Sequence, residues 1–202
     1  MLDFVGFQKI ARFARDVIVS EKIDGTNAQI LIGPEGEFLT GSRSRWITIS
    51  DDNHGFSRWA HEHRDELLKL GPGRHFGEWW GSGINRGYDL PAGEKRFSLF
   101  NVQRWCLFGT EPQPIPTNNP KETRMQEVLP ACVGLVPVLW TGNFEHINVE
   151  RILGRLIDRG SVAAPGFMQP EGIVIWHVAG NVGFKKTIER DDVPKGTVNA
   201  CQ

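Results

Sequence analysis

Lys22 stands two residues before Asp24 in the stretch "EKIDGTNAQI" (residues 21–30), a pairing that could carry covalent chemistry. A lysine held at a strand end becomes a nucleophile once it sheds its proton, and Gly25 beside it would let a ligand approach the backbone. The same stretch also reads as a hairpin, since Asp-Gly between alternating apolar residues is a turn signal. Further charged residues interrupt apolar runs: Arg43 in "GSRSR", Glu78 in "FGEWWGSGI", Glu171 in "EGIVIW", and Lys185 with Lys186 in "VGFKKTI". Core-facing strand positions normally hold apolar side chains, and a buried charge needs a partner or a ligand. Together these acids and bases could line one cleft, bases toward phosphates and acids toward a metal or its waters.

The elements that must position them are mostly strands. "VIVSEKI", "AQILIG", "EFLTGSRS" and "WITIS" alternate or cluster β-branched residues, which predicts an antiparallel meander over residues 17–49. A helix is expected from the capping residue Ser57 to Leu70, stopped by Gly71-Pro72-Gly73. "RHFGEWWGSGINRGYDLPAG" gives a short strand and then a glycine-rich polar loop able to surround a ligand, and "RFSLFNVQRWCLF" a further strand or hairpin arm. "TEPQPIPTNNPKE", with four prolines, reads as a surface excursion without regular structure. The clearest helix starts near Asn148, where Val149, Ile152, Leu153, Leu156 and Ile157 share a face, and ends at Gly160. "GFMQPEGIVIWH" and "VGFKKTI" are late strands joined by the tight turn "VAGN". The expected fold is α+β, antiparallel sheets flanked by helices, in one domain over residues 1–202.

The chain has 202 residues, 40% of them hydrophobic, enough for a sizeable core, and its net charge of -1 gives no global basic field for a nucleic acid. Any such contact must rest on a local patch. Cys106, Cys132 and Cys201 are widely separated and form no Cys-x-x-Cys pair, so neither a disulfide framework nor a zinc site is suggested, and a reducing cytoplasm is the expected location. No targeting segment and no run of ~18 apolar residues is seen, so no membrane partner is expected. His61 and His63 are two apart and unsuited to a shared helical face. "GSGINRG" and "GFKKT" lack the spacing of dinucleotide and P-loop sites. Trp79 and Trp80 could stack bases, but core packing is their default.

The ordered series Lys-x-Asp-Gly, Ser-Arg, Phe-Gly-Glu, Phe-x-x-Phe, Glu-Gly-x-Val and Phe-Lys-Lys, from about residue 20 to 187, resembles the covalent nucleotidyltransferase superfamily of polynucleotide ligases and capping enzymes. The nearest likeness is to nick-sealing RNA ligases, and "FGEWWGSGI" is its most RNA-ligase-like part. The resemblance implies a ligase-type adenylation domain in which a lysine attacks the α-phosphate of ATP, expels pyrophosphate and becomes linked to AMP. The AMP then passes to a 5′-phosphate end, and a 3′-hydroxyl displaces it.

By resemblance, Lys22 is the nucleophile. A lysine of ordinary pKa, ~10.4, is protonated at neutral pH, so a nearby cation such as Lys185 or desolvation would have to free the amine. Glu21, Asp24, Gly25, Asn27, Arg43 and Glu78 fall among the nucleotide contacts, and Phe100, ahead of Phe97, would stack on adenine. Glu171 would hold Mg2+ or Mn2+, and Lys185 with Lys186 would neutralise the α-phosphate. RNA is expected ahead of DNA as the nucleic-acid partner. A small DNA ligase, a guanylyltransferase, and a non-catalytic nucleotide- or nucleic-acid-binding module are the alternatives.

Three departures from the family pattern stand out. The last motif is usually Lys-x-Lys, whereas adjacent lysines should point to opposite faces of a strand. Trp176 stands where a further lysine is common. No appended C-terminal domain is expected after Thr187, which would leave a protein partner to supply nucleic-acid contacts.

Overall fold

The computed structural model describes residues 3–7, 10–101, 115–116, 123–124, 129–189 and 191–192. Two sheets form the body. The first has the order β10-β1-β11-β12, from β1 (Asp16–Lys22), β10 (Val138–Asn143), β11 (Gly172–His177) and β12 (Val182–Thr187). The second has the order β4-β3-β2-β5-β6-β9, from β2 (Thr26–Ile32), β3 (Phe38–Gly41), β4 (Trp46–Ile47), β5 (Gly73–Gly81), β6 (Lys95–Leu99) and β9 (Val133–Leu135). All pairings are antiparallel except that of β6 with β9. Among the described residues the chain passes between the two sheets twice, at 23–25 and at 136–137, and the Glu21 N–H donates to the Pro137 carbonyl beside both crossings at 2.8 Å.

Three apolar clusters fix the layers. β2 alternates cleanly, and its Ala28, Ile30 and Ile32 pack with Phe97 and Leu99 against α1 (Phe56–Glu62) and α2 (Arg64–Leu67). β1 carries a continuous buried run, as a strand covered on both faces should. Its Val17 and Val19 meet Ile152, Leu153 and Leu156 of α3 (Val149–Arg159), while Ile18, on the opposite face, joins Trp80, Tyr88 and Phe167 between the sheets. The result is helix, sheet, sheet, helix, with the inner faces of the sheets opposed. This is the expected α+β class.

Several local expectations change. Residues 17–49 are not one meander: β1 belongs to the first sheet and β2–β4 to the second, so Asp24-Gly25 is a crossing and not a hairpin. The interior demand for two opposed faces overrides the local turn signal. Ser57 is not a cap; its hydroxyl lies 2.8 Å from that of Thr40 in the core, and Asp52 accepts the Ser57 and Arg58 N–H groups instead. The predicted helix over 57–70 breaks at His63 (φ -104°) and finishes as a 3-10 turn over Leu68–Leu70. α3 matches its expected limits, with the Asn148 side chain accepting from the Arg151 N–H at 2.8 Å, although Ile157 lies outside the buried stripe, 53% exposed.

β7 (Ile115–Pro116), inside the proline-rich stretch, pairs with β8 (Thr123–Arg124) just beyond it, a regular element not expected there. The rest of that stretch and the "QRWCLF" arm lie outside the described residues. Among the described residues no helix is long and apolar enough to cross a membrane.

Candidate active site

Lys22 ends β1 on the face it shares with Ile18 and Ser20, which looks toward the second sheet. Its backbone pairs with Gly172, which places Glu171 alongside, and the Lys22 Nζ lies 2.5 Å from Glu171 Oε2. Glu171 is only 3% exposed and Lys22 21%, so the ion pair sits at the inner edge of the cleft. Gly172 is needed here: φ is 154°, and a Cβ would run into the Lys186 carbonyl of β12.

The crossing after Lys22 brings a second carboxylate in. Gly25 passes so close over β5 that a Cβ would strike the Trp79 carbonyl and the Trp80 side chain. That approach lets the Gly25 N–H donate to Glu78 Oε1 at 3.0 Å, while Asn27, paired with Glu78 across β2 and β5, donates to Oε2 at 3.4 Å. Burial pushes the Glu78 carboxyl up to about 7, with Glu171 and Asp24 adding to the rise and Lys22 opposing it.

Asp24 is held from the glycine-rich loop. Asn85 donates to Oδ1 at 3.0 Å, Arg86 Nε to Oδ2 at 3.2 Å, and the Asp24 N–H donates to the Tyr88 hydroxyl at 2.7 Å. Arg86 also donates to the Gln169 carbonyl at 2.8 Å, tying the Lys22 strand to the segment that leads into Glu171. Asn85, Tyr88 and Asp89 adopt left-handed backbone (φ 44°, 54° and 53°), a conformation uncommon for such residues and held at Asn85 and Tyr88 by these contacts. Asn85, Arg86 and Tyr88 were not among the expected site residues. Their signal was the run of polar residues inside a loop already read as ligand-facing.

β12 separates the two adjacent lysines by strand periodicity. Lys185 pairs with Val174, itself paired with Ser20, so it shares the inner face with Lys22. Lys186 pairs with Ile173 on the outer face, where its Nζ reaches Asp191 at 2.8 Å. No irregularity interrupts this register, so the expectation that both lysines flank one phosphate is not met by this geometry. Trp176 is also on the inner face, lying over Gly183.

The side chain of Glu21 does not join the cluster. Period two turns it to the face opposite Lys22, where it is 1% exposed and accepts from the Ser161 hydroxyl (2.6 Å) and the Val162 and Ala163 N–H groups (2.8 and 3.0 Å). It braces the loop after α3, and nothing near Ser161 in the sequence signalled this. Arg43 is exposed in the turn between β3 and β4, at the sheet end that carries Asn27, whereas Arg45 is paired with Asp51. Phe97 is core, 5.0 Å from Phe56 between ring centres, while Phe100 is 40% exposed. Trp79 and Trp80 are both 2% exposed and belong to the core. His61 and His63 bond to carbonyls of their own helix, and no cluster of three metal-ligating side chains occurs among the described residues.

A family model described as RNA ligase matches residues 15–188. A variant of Naegleria gruberi RNA ligase solved with ATP and Mn is similar to this chain at 16% identity and TM-score 0.57, covering 87% of this chain and 50% of that one. An archaeal ATP-dependent RNA ligase is 21% identical with TM-score 0.54, over 91% of this chain and 48% of that one. Another Naegleria gruberi RNA ligase variant, with AMP and Mn, gives 16% and 0.57. The chain thus spans about half the length of the solved structures it matches, and at these identities the likeness is one of fold. No curated protein matches it.

Proposed function

The chain belongs to the RNA ligase family, and we propose that it joins RNA ends with ATP through a covalent lysyl-AMP intermediate. The observation that carries this reading is the meeting of Lys22, Glu171 and Glu78 at the inner edge of two opposed sheets, with Lys185 on the same sheet face as Lys22.

In the first step the Lys22 amine, after giving up a proton, attacks the α-phosphorus of ATP. The P–N bond forms as the bond to pyrophosphate breaks. Glu171 lies within reach of that proton. Lys185 is two strands and two residues from Lys22, a Cα separation of roughly 12 Å by strand geometry, a gap that a phosphate between the two side chains would bridge. Lys186 is assigned no phosphate contact. Glu78 and Asn27 suit the ribose hydroxyls, Phe100 the adenine face, and Arg43 the sugar or the 5′-phosphate end. In the later steps a 5′-phosphate oxygen takes the AMP from Lys22, breaking the P–N bond, and a 3′-hydroxyl then displaces AMP to form the new phosphodiester.

The donor set fits Mg2+ or Mn2+. One buried carboxylate, Glu171, with no three-ligand cage among the described residues, suits an ion that takes the rest of its shell from water and phosphates. Bound there, the ion would offset charge on the transferring phosphoryl group. Incubation with metal and ATP or GTP labelled at the α-phosphate tests the reading. Acid-sensitive label from ATP that is lost in Lys22→Ala supports it; label from GTP alone, or none from either, overturns it.

A further inference from the structure

One face of the second sheet carries an ordered row of side chains that, apart from Phe100 at its end, the nucleotide site does not use. Trp46 pairs with Gly41, Gly41 with Gln29, and Gln29 with Phe76, and the Phe100 N–H donates to the Phe76 carbonyl at 2.9 Å. Directly paired residues share a face, so Trp46, Gln29, Phe76 and Phe100 form a line across five strands. Asn27 and Glu78, two residues along their strands, lie on the same face, so the line runs roughly 7 Å from the site's carboxylate.

The row is open and stiff. Trp46 is 44% exposed and Phe76 50%. The Arg74 guanidinium lies 5.3 Å over the Trp46 ring and donates to Gln29 Oε1 at 3.2 Å, and Gln29 in turn donates to the Ser42 carbonyl at 3.0 Å. Gly41 has no side chain to rise between Trp46 and Gln29, and a Cβ there would press on both. Flat aromatic faces beside a held guanidinium suit a polynucleotide: bases stack whatever their sequence, and the cation meets phosphate. In a chain of net charge -1, such a local patch is the means by which a nucleic acid can be gripped.

We propose that Trp46, Phe76 and Arg74 form a stacking track for a single strand of RNA running up to the sealing site. The choice of RNA as occupant rests on the ligase reading. The test measures the affinity of the whole protein for a fluorescent, 5′-phosphorylated single-stranded RNA by anisotropy, and in parallel its self-labelling by α-labelled ATP. Trp46→Ala is expected to weaken RNA binding about tenfold or more, with Trp46→Phe recovering most of it. Arg74→Gln is expected to weaken binding and to lower the salt slope by about one. Neither should change AMP labelling. RNA affinity within twofold of wild type in both variants overturns the proposal, as does a loss of RNA binding that is matched by a loss of labelling. Unchanged RNA affinity with a change in solution mass would instead mark the row as an interface between copies of the chain. A wild-type protein that binds RNA through Trp46 but takes no label from ATP would keep the track and sink the ligase reading.

Discussion

The Lys22 ammonium rests 2.5 Å from Glu171, a carboxylate that is 3% exposed, across a register in which Lys22 faces Gly172. The proposed nucleophile is therefore held by a charge on the neighbouring strand before any nucleotide arrives. Removing one member of such a pair strands the other in a poorly solvated place.

Lys22→Ala should consequently do two things: abolish AMP labelling and destabilise the fold by about 2 kcal/mol, less than for a fully buried pair because the lysine keeps some solvent contact. The double variant Lys22→Ala/Glu171→Gln should regain most of that stability and still take no label. Denaturant titration and labelling, run on the same samples, check both halves.

Glu78 makes stability depend on pH. Its folded-state pKa of about 7 lies above the ordinary 4.5, so between those values the folded chain binds the extra proton. Stability contributed below pH 4.5 is then lost as pH rises through 7, by roughly 3 kcal/mol in all. Glu78→Gln should flatten this part of the profile and unfold at higher denaturant than wild type at pH 8. Equal slopes in the two proteins would show that Glu78 ionises normally.

The two lysines of β12 should separate in function. Lys185→Ala is expected to slow AMP transfer to Lys22 about a hundredfold, as loss of a transition-state charge contact does. Lys186→Ala, which removes the Nζ contact to Asp191 on the outer face, should change it less than threefold. Rates of labelling from limiting ATP decide the order, and a reversed order would require a different register.

Arg86→Ala should lower the labelling rate about tenfold without abolishing it, because Asp24 and the segment before Glu171 lose a shared anchor. A positioning role predicts partial recovery in Arg86→Lys and little change in melting temperature. A large drop in melting temperature with normal labelling of the folded fraction would mean that Arg86 only holds the loop.

Glu21→Ala leaves the Ser161 hydroxyl and two N–H groups without their acceptor, at a cost of about 3 kcal/mol. Its effect on ATP affinity, measured well below the melting temperature, should stay within twofold. A selective loss of ATP binding at full stability would return Glu21 to the nucleotide site.

Much of this was legible because strand periodicity is legible. The alternation around Lys22, Glu78 and Glu171 located the strands, and the helix from Asn148 to Gly160 followed from its apolar spacing and its cap. The separation of Lys185 from Lys186 followed from period two alone. Pairing was less legible: nothing within residues 21–30 says that the chain leaves one sheet for another, since a crossing and a hairpin use the same Asp-Gly chemistry. Glu21 was hidden for a related reason. A carboxylate next to a nucleophile in sequence lies on the opposite side of the strand, and its partners come from a loop 140 residues away. The holding roles of Asn85 and Tyr88 depend on left-handed backbone that residue type did not announce, and Arg86 is carried between them.

The two crossings at 23–25 and 136–137 lie side by side, joined through Glu21 and Pro137. Two adjacent connections between the packed layers lie along one line, placed like the pin of a door. Lys22 is the last residue before one of them. If the sheets rock to admit a nucleotide or release a product, points far from the line sweep the widest arcs and points on it barely travel. The fold thus places the proposed nucleophile beside that line, where a turn of the layers would displace it least.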